Sequence, residues 1–249
     1  MSVSLSKEKM AAIDLRKAKV ISLAKERGIF GEKAQVVLAI DISGSMGNLY
    51  RNGTVQRTLE RIVPLALQFD DNGSLDVALF HNQGFLAEDC TLANLEGYVE
   101  NEIVRKYQFG ATSYAPVIKL IADKASSKKG VTAKLSGMFS SLMGKKEEAK
   151  ALPTYVVFIT DGDNDDHSAT ERLIRELSGQ PIFWQFVGIG SERFSFLDKL
   201  DNLSGREVDN AAFFKANDID RMTDDQLYSE LLKEFPGWIP QMRKLGKIA

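Results

Sequence analysis

Cysteine occurs once in 249 residues, at Cys90, which excludes an internal disulfide and fits a reducing compartment. A lone cysteine of this kind reads as a small half-buried side chain rather than a reactive thiol. Histidine occurs twice, at His81 and His167, and neither has a sequence partner that suggests a catalytic triad. No apolar run reaches ~18 residues, so no membrane span is expected. Met1 to Met10 hold no apolar core of a secretory signal. These absences lead to the expectation of a cytoplasmic protein. An excess of one charge is lacking too. There are 32 basic and 34 acidic residues, a formal net charge of −2, which argues against nucleic acid as a partner. No internal repeat and no G-x-x-x-x-G-K-[ST] phosphate loop is present.

What is present is organised around Gln35 to Ser45, Q-V-V-L-A-I-D-I-S-G-S. The apolar run Val36 to Ile40 reads as a fully buried parallel strand. It ends in Asp41, Ser43 and Ser45, whose alternation lets an extended turn aim three oxygens at one spot, with Gly44 allowing close approach. Two later stretches match it. Phe109-Gly110-Ala111-Thr112-Ser113 puts a hydroxyl in a glycine-containing loop before a helical pattern. Tyr155 to Gly162 is a second buried strand, ending in Thr160-Asp161-Gly162.

The remaining pattern alternates helices with strands. Ser6 to Arg27 reads as a helix stopped by Gly28, with Ala11, Leu15, Ala18 and Ile21 toward the core. Asn48 to Asn52 is read as a loop. Thr54 to Phe69 reads as a helix carrying Val55, Leu59, Ile62, Ala66 and Phe69 on one face, with a kink expected at Pro64. Asp70 to Gly73 is a turn and Leu75 to Phe80 a strand. Gln83-Gly84 turns into a short strand, Phe85 to Ala87, as an antiparallel edge. Helices are expected at Leu92 to Val104, Tyr114 to Ala125, Ser168 to Leu177 (capped by Ser168 with Glu171), Phe194 to Leu203, Asp224 to Phe235 and Trp238 to Leu245. Strands are expected at Pro181 to Ile189 and Ala211 to Lys215. The order predicts an α/β fold, doubly wound, with a mostly parallel central sheet, one antiparallel edge strand and helices on both faces.

The set D-x-S-x-S, then Thr, then T-D-G, in this order and each at the end of a suitable element, resembles the metal-ion-dependent adhesion site (MIDAS) of von Willebrand factor A-type (vWA) domains. More narrowly, the chain resembles the vWA proteins of bacterial tellurite and stress resistance (Ter). The resemblance implies a Rossmann-like vWA domain over residues 34–222, interrupted by an insertion over about residues 126–152. Helical extensions are then expected over residues 1–33 and 223–249. It implies Ser43 and Ser45 as direct metal ligands, Asp41 and Asp161 as charge partners acting through water, and Thr112 as a ligand that switches with state. Mg2+ suits few direct ligands with retained waters; Mn2+ or Ca2+ are the alternatives. An open coordination position would accept an Asp or Glu from a protein partner, expected among other Ter-system proteins.

Other readings compete. Ser43 and Ser45 can simply hydrogen-bond their loop, with Asp41 capping the next segment. The acidic run Asp161 to Asp166 is not an EF-hand, because Asp166 replaces the required glycine and Arg172 stands at the twelfth position. Asp163, Asp165 and Asp166 read as a solvated rim. The leading expectation is a non-enzymatic, metal-dependent protein-interaction module. A Mg-dependent phosphohydrolase is the first alternative, weakened because Ser43 stands where a D-x-D motif needs its second carboxylate. A metal-free structural scaffold is the second. Val131 to Met143, with Leu135, Met138, Phe139 and Leu142 at helical spacing, is expected to form an amphipathic helix inside the insertion.

Overall fold

The structure is a computed structural model that describes residues 5–70, 73–127 and 151–249. The expected helix at Val131 to Met143 lies outside the described residues, as do Asp71 and Asn72 of the expected turn. The strands are β1 (Gln35–Asp41), β2 (Asp76–Phe80), β3 (Gly84–Leu86), β4 (Thr154–Thr160), β5 (Ile182–Ile189) and β6 (Ala211–Ala216). They form one sheet in the order β3-β2-β1-β4-β5-β6, parallel except for the antiparallel β2–β3 pair. The expected fold class is therefore the observed one.

β1 sits in the interior of the sheet and is buried along its whole length. Its side chains alternate between two cores, as the period of a strand requires. Val36, Leu38 and Ile40 join one core, while Val37 and Ala39 join the other. The first core is covered by α1 (Lys7–Glu26), α3 (Thr54–Phe69), α7 (Asp224–Leu231) and α8 (Phe235–Lys244). The second is covered by α4 (residues 115–127), α5 (His167–Glu176) and α6 (Ser195–Asp201).

Local chemistry explains most boundaries. The Ser6 side chain accepts from Lys9 N at 3.2 Å and starts α1, and Gly28 leaves it at φ +72°. α3 runs unbroken through Pro64, and all five residues assigned to its apolar face are buried. Thr223 and Gln226 form a reciprocal capping box at the start of α7.

Several expectations are corrected. α1 buries Ile13, Val20 and Ala24, while Leu15 is 68% exposed. An alanine- and lysine-rich helix carries a weak apolar stripe, and tertiary packing on α3 selects a different face. Residues 47–51 form a short helix, α2 (Gly47–Arg51), rather than a loop. Within 92–104 only Val99–Val104 is helical, with π geometry, although Leu95, Val99 and Ile103 are buried as the spacing required. Pro236 and Gly237 do not separate two helices. They occupy the first turn of α8, where proline loses no hydrogen bond. Cys90 is fully buried, and burial pushes its thiol up to about 12.

α8 is fastened by rings. Phe235 meets Phe69 of α3, Tyr155 of β4, Phe183 of β5 and Trp238 at centroid distances of 6.3, 4.8, 5.7 and 5.7 Å. Truncating a ring that touches three other elements leaves a cavity none of them can fill alone. Phe235→Ala is expected to cost about 3–5 kcal/mol in urea denaturation. A change below about 1 kcal/mol would mean that α8 contributes little to the core.

Candidate metal site at the carboxyl end of the sheet

β1 and β4 are parallel neighbours in a register that pairs Ile40 with Ile159. Both strands therefore end at the same level, and their last polar residues meet. Thr160 Oγ1 donates to Asp41 Oδ2 at 2.7 Å, and Ser43 N donates to Asp41 Oδ1 at 2.6 Å. Ser43 Oγ and Ser45 Oγ are 3.0 Å apart, and Ser45 Oγ donates to Asp161 Oδ1 at 2.7 Å. Four of the five expected site residues, Asp41, Ser43, Ser45 and Asp161, are thus joined by short contacts. Asp41 and Ser43 are buried, Asp161 is half-buried and Ser45 is exposed.

Burial pushes Asp41 up to about 6, against the hydrogen bonds from Thr160 and Ser43, and the charge of Asp161 adds to the rise. Asp161 is also raised, first by burial and further by the charge of Glu192, while the bond from Ser45 opposes the shift. Each carboxylate is disfavoured as an anion in this environment.

Thr112 stands in the adjoining loop rather than in this set. It is half-buried, and its carbonyl accepts from Asp165 N at 2.8 Å. The loop is laid beside the serine turn by a parallel bridge between Ser43 and Gly110. Gly44 N donates to Gly110 O at 3.0 Å, and Gly110 N donates to Ile42 O at 3.1 Å. The residue that must be glycine for close approach is Gly110, not Gly44. A Cβ on Gly110 would lie 2.9 Å from the His81 ring, whereas one on Gly44 would meet nothing nearer than 4.0 Å.

Several participants were not singled out from sequence. Thr160 was visible inside T-D-G but was not given a role. Tyr114 read only as a helix start, yet its hydroxyl lies 3.2 Å from Thr160 Oγ1 and donates to Gly162 O at 2.7 Å. Tyr50 OH donates to the Asp41 carbonyl at 3.0 Å and meets Phe109 edge-on at 5.0 Å. Asp166 is not part of a solvated rim, because its carboxylate accepts from the Tyr114 and Ala115 amides. Nor does Ser168 cap α5, which starts one residue earlier, at His167. The histidines are engaged elsewhere. His81 Nδ1 accepts from Gln83 N at 3.0 Å, and His167 pairs with Asp163 at 2.7 Å and stacks on Phe196 at 3.9 Å.

The donors gathered here are hard oxygens, and their chemistry fits a Mg2+-like cation. Among the described residues, no group of three or more His, Cys, Asp or Glu side chains is placed to hold a metal. The site has two carboxylates, and its other donors are neutral hydroxyls.

A mostly parallel sheet in this strand order, with oxygen-rich loops after β1 and β4, defines a vWA-type domain. Residues 33–248 match the model for the vWA domain found in the TerF C terminus, and the chain belongs to this vWA-TerF-like family. It is 40% identical over 240 residues to the uncharacterized protein YcbR of Bacillus subtilis (strain 168), covering 95% of this chain and 90% of that one. Among solved structures, proximal thread matrix protein 1 of the mussel byssus is similar with a TM-score of 0.51 and 15% identity, over 86% of this chain. This chain spans 48% of the mussel protein's length. A second structure of that protein, with a zinc-occupied MIDAS motif, gives a TM-score of 0.50 at 15% identity, over 86% of this chain and 48% of that one. The TFIIH p34 N-terminal domain gives 0.50 at 13% identity, over 82% of this chain and 98% of that one. At these identities the solved structures show the fold alone.

Thr160→Val removes a donor to Asp41 while keeping volume. It is expected to destabilise the metal-free protein by about 1–3 kcal/mol in urea denaturation, because a buried acceptor loses its partner. An unchanged midpoint would show that Asp41 does not depend on Thr160.

Proposed function

We propose that the protein is a non-enzymatic docking module whose contact face is the carboxyl end of the sheet. The observation that carries this reading is the convergence of the loops after β1, before α4 and after β4 on one partly exposed, oxygen-rich spot. Enzymatic hydrolysis is disfavoured by the same geometry. Ser43 stands where a second carboxylate would be needed, and both histidines are committed to other contacts.

Two forms of the module differ in what fills the spot. The metal-free scaffold has support in the donor count and in the hydroxyl–carboxylate bonds by which Ser43, Ser45 and Asp161 already satisfy one another. In that form the face is acidic, with Asp161, Asp163, Asp165 and Glu192 around it, and it would select a partner presenting Lys or Arg. The metal-dependent form is supported by the gathering of Asp41, Ser43, Ser45 and Asp161, and by the zinc-occupied MIDAS motif of the mussel protein. Ser43 and Ser45 would then hold Mg2+, Mn2+ or Ca2+ directly, Asp41 and Asp161 would supply charge, and Thr112 would approach from its loop. The cation would supply an open coordination position for an Asp or Glu of the partner.

Family membership makes a stress or tellurite-resistance assembly the proposed setting, with other Ter-system proteins as partners and the cytoplasm as the place. The proposed organisation is a vWA domain over residues 34–222 with an insertion over about residues 126–152. Residues 1–33 and 223–249 would be its helical extensions.

The two forms part in one experiment. Metal-stripped protein is titrated with Mn2+ and Mg2+ by calorimetry, as wild type and as Asp41→Ala, and partner capture from a native lysate is repeated with EDTA. Metal binding that Asp41→Ala abolishes, together with EDTA-sensitive capture, establishes the metal-dependent form. Absent metal binding with EDTA-resistant capture establishes the scaffold. Specific capture that survives substitution of Ser43, Ser45 and Asp161 together would remove the docking face from this end of the sheet.

A further inference from the structure

Asp166 occupies the N-cap position of α5, yet its side chain does not cap α5. It points instead at the start of α4. One carboxylate oxygen accepts from Tyr114 N at 2.9 Å and the other from Ala115 N at 2.8 Å. These are two of the unsatisfied amides at the first turn of α4, where Pro116 has no N–H to offer. A carboxylate there also complements the positive end of the helix dipole. The side chain is itself held by Asn164 Nδ2 at 2.5 Å and Thr170 Oγ1 at 3.2 Å.

The two loops are joined at further points. Asp165 N donates to Thr112 O at 2.8 Å, and Tyr114 OH donates to Gly162 O at 2.7 Å. The same tyrosine hydroxyl lies 3.2 Å from Thr160 Oγ1, whose own hydrogen goes to Asp41. At its other end the Thr112 loop is bridged to the serine turn through Gly110. The segment 110–115 is therefore strapped between the serine turn and the 161–166 loop.

We propose that Asp166 is the positioning residue for Thr112: it fastens the Thr112 loop to the loop carrying Asp161, so that both donors move as one unit. Asp166 touches neither a cation nor a partner. It acts through the backbone of residues 112–115. The consequence for cation affinity rests on the metal-dependent reading above; the mechanical consequence does not.

The test uses amide hydrogen exchange on the whole 249-residue chain together with Mn2+ calorimetry. The Asp165 amide is the reporter, because it bonds Thr112 O and not the Asp166 carboxylate. In Asp166→Ala it is expected to exchange at least about tenfold faster, while β1 and β4 amides keep wild-type protection. Mn2+ affinity should fall by about 10–100-fold, the range typical of groups that orient ligands. Asp166→Asn offers one acceptor oxygen instead of two and should fall between wild type and Asp166→Ala in both readouts. It is also the variant to use if the alanine protein does not fold. Asp163→Ala, on the same loop but paired with His167, should leave the Asp165 amide unchanged. Wild-type exchange at Asp165 in both Asp166 variants would overturn the proposal. If the wild-type protein takes up no Mn2+, the metal-dependent reading fails, and the Asp165 exchange rate alone decides the clamp.

Discussion

Asp41 is sealed from water at the end of an interior strand, and a carboxylate so placed must be hydrogen-bonded, paired or neutral. The arrangement of the carboxyl face follows from that constraint. The parallel register of β1 and β4 delivers Thr160 to one carboxylate oxygen, and the turn after β1 delivers the Ser43 amide to the other. Tyr50 takes up the main-chain carbonyl of the same residue. These bonds do not fully offset burial, which still pushes the Asp41 carboxyl up to about 6. Asp161 is raised by the same cause, so this end of the sheet holds two carboxylates that both gain from a positive charge, whether a cation or a basic side chain.

Around this pair the fold keeps rigid and exposed parts separate. β1 and β4 are buried on both faces between two helical layers, so the ends of the strands are fixed. Ser45, Phe109, Asp163 and Asp165 lie at the rim. Phe109 is 38% exposed and backed by Tyr50, which gives the polar centre an apolar neighbour. Aromatic side chains are enriched where protein surfaces meet.

The strands were legible because burial on both faces leaves near-continuous apolar runs, and the proximity of Asp41, Ser43, Ser45 and Asp161 was legible because they lie at or next to strand ends. Asp161 directly follows β4, and Ser43 and Ser45 follow β1, whose last residue is Asp41. Long-range side-chain contacts were not legible. Nothing local tells that Asp166 caps α4 rather than α5, or that the Tyr114 hydroxyl reaches Gly162. The face of α1 was misjudged for a related reason: Leu15 is the more apolar choice, but packing on α3 selects Ile13, Val20 and Ala24. The segment before Val99 kept its buried positions without becoming a helix, so apolar spacing located its contacts but not its backbone.

Partners are proposed to meet the carboxyl end of the sheet. Hydrogen-exchange footprinting of a complex purified from the native host tests it most directly. Added protection is expected at residues 42–48, 109–113 and 161–166, with the rest of the domain unchanged. A footprint confined to the opposite end of the sheet would contradict it.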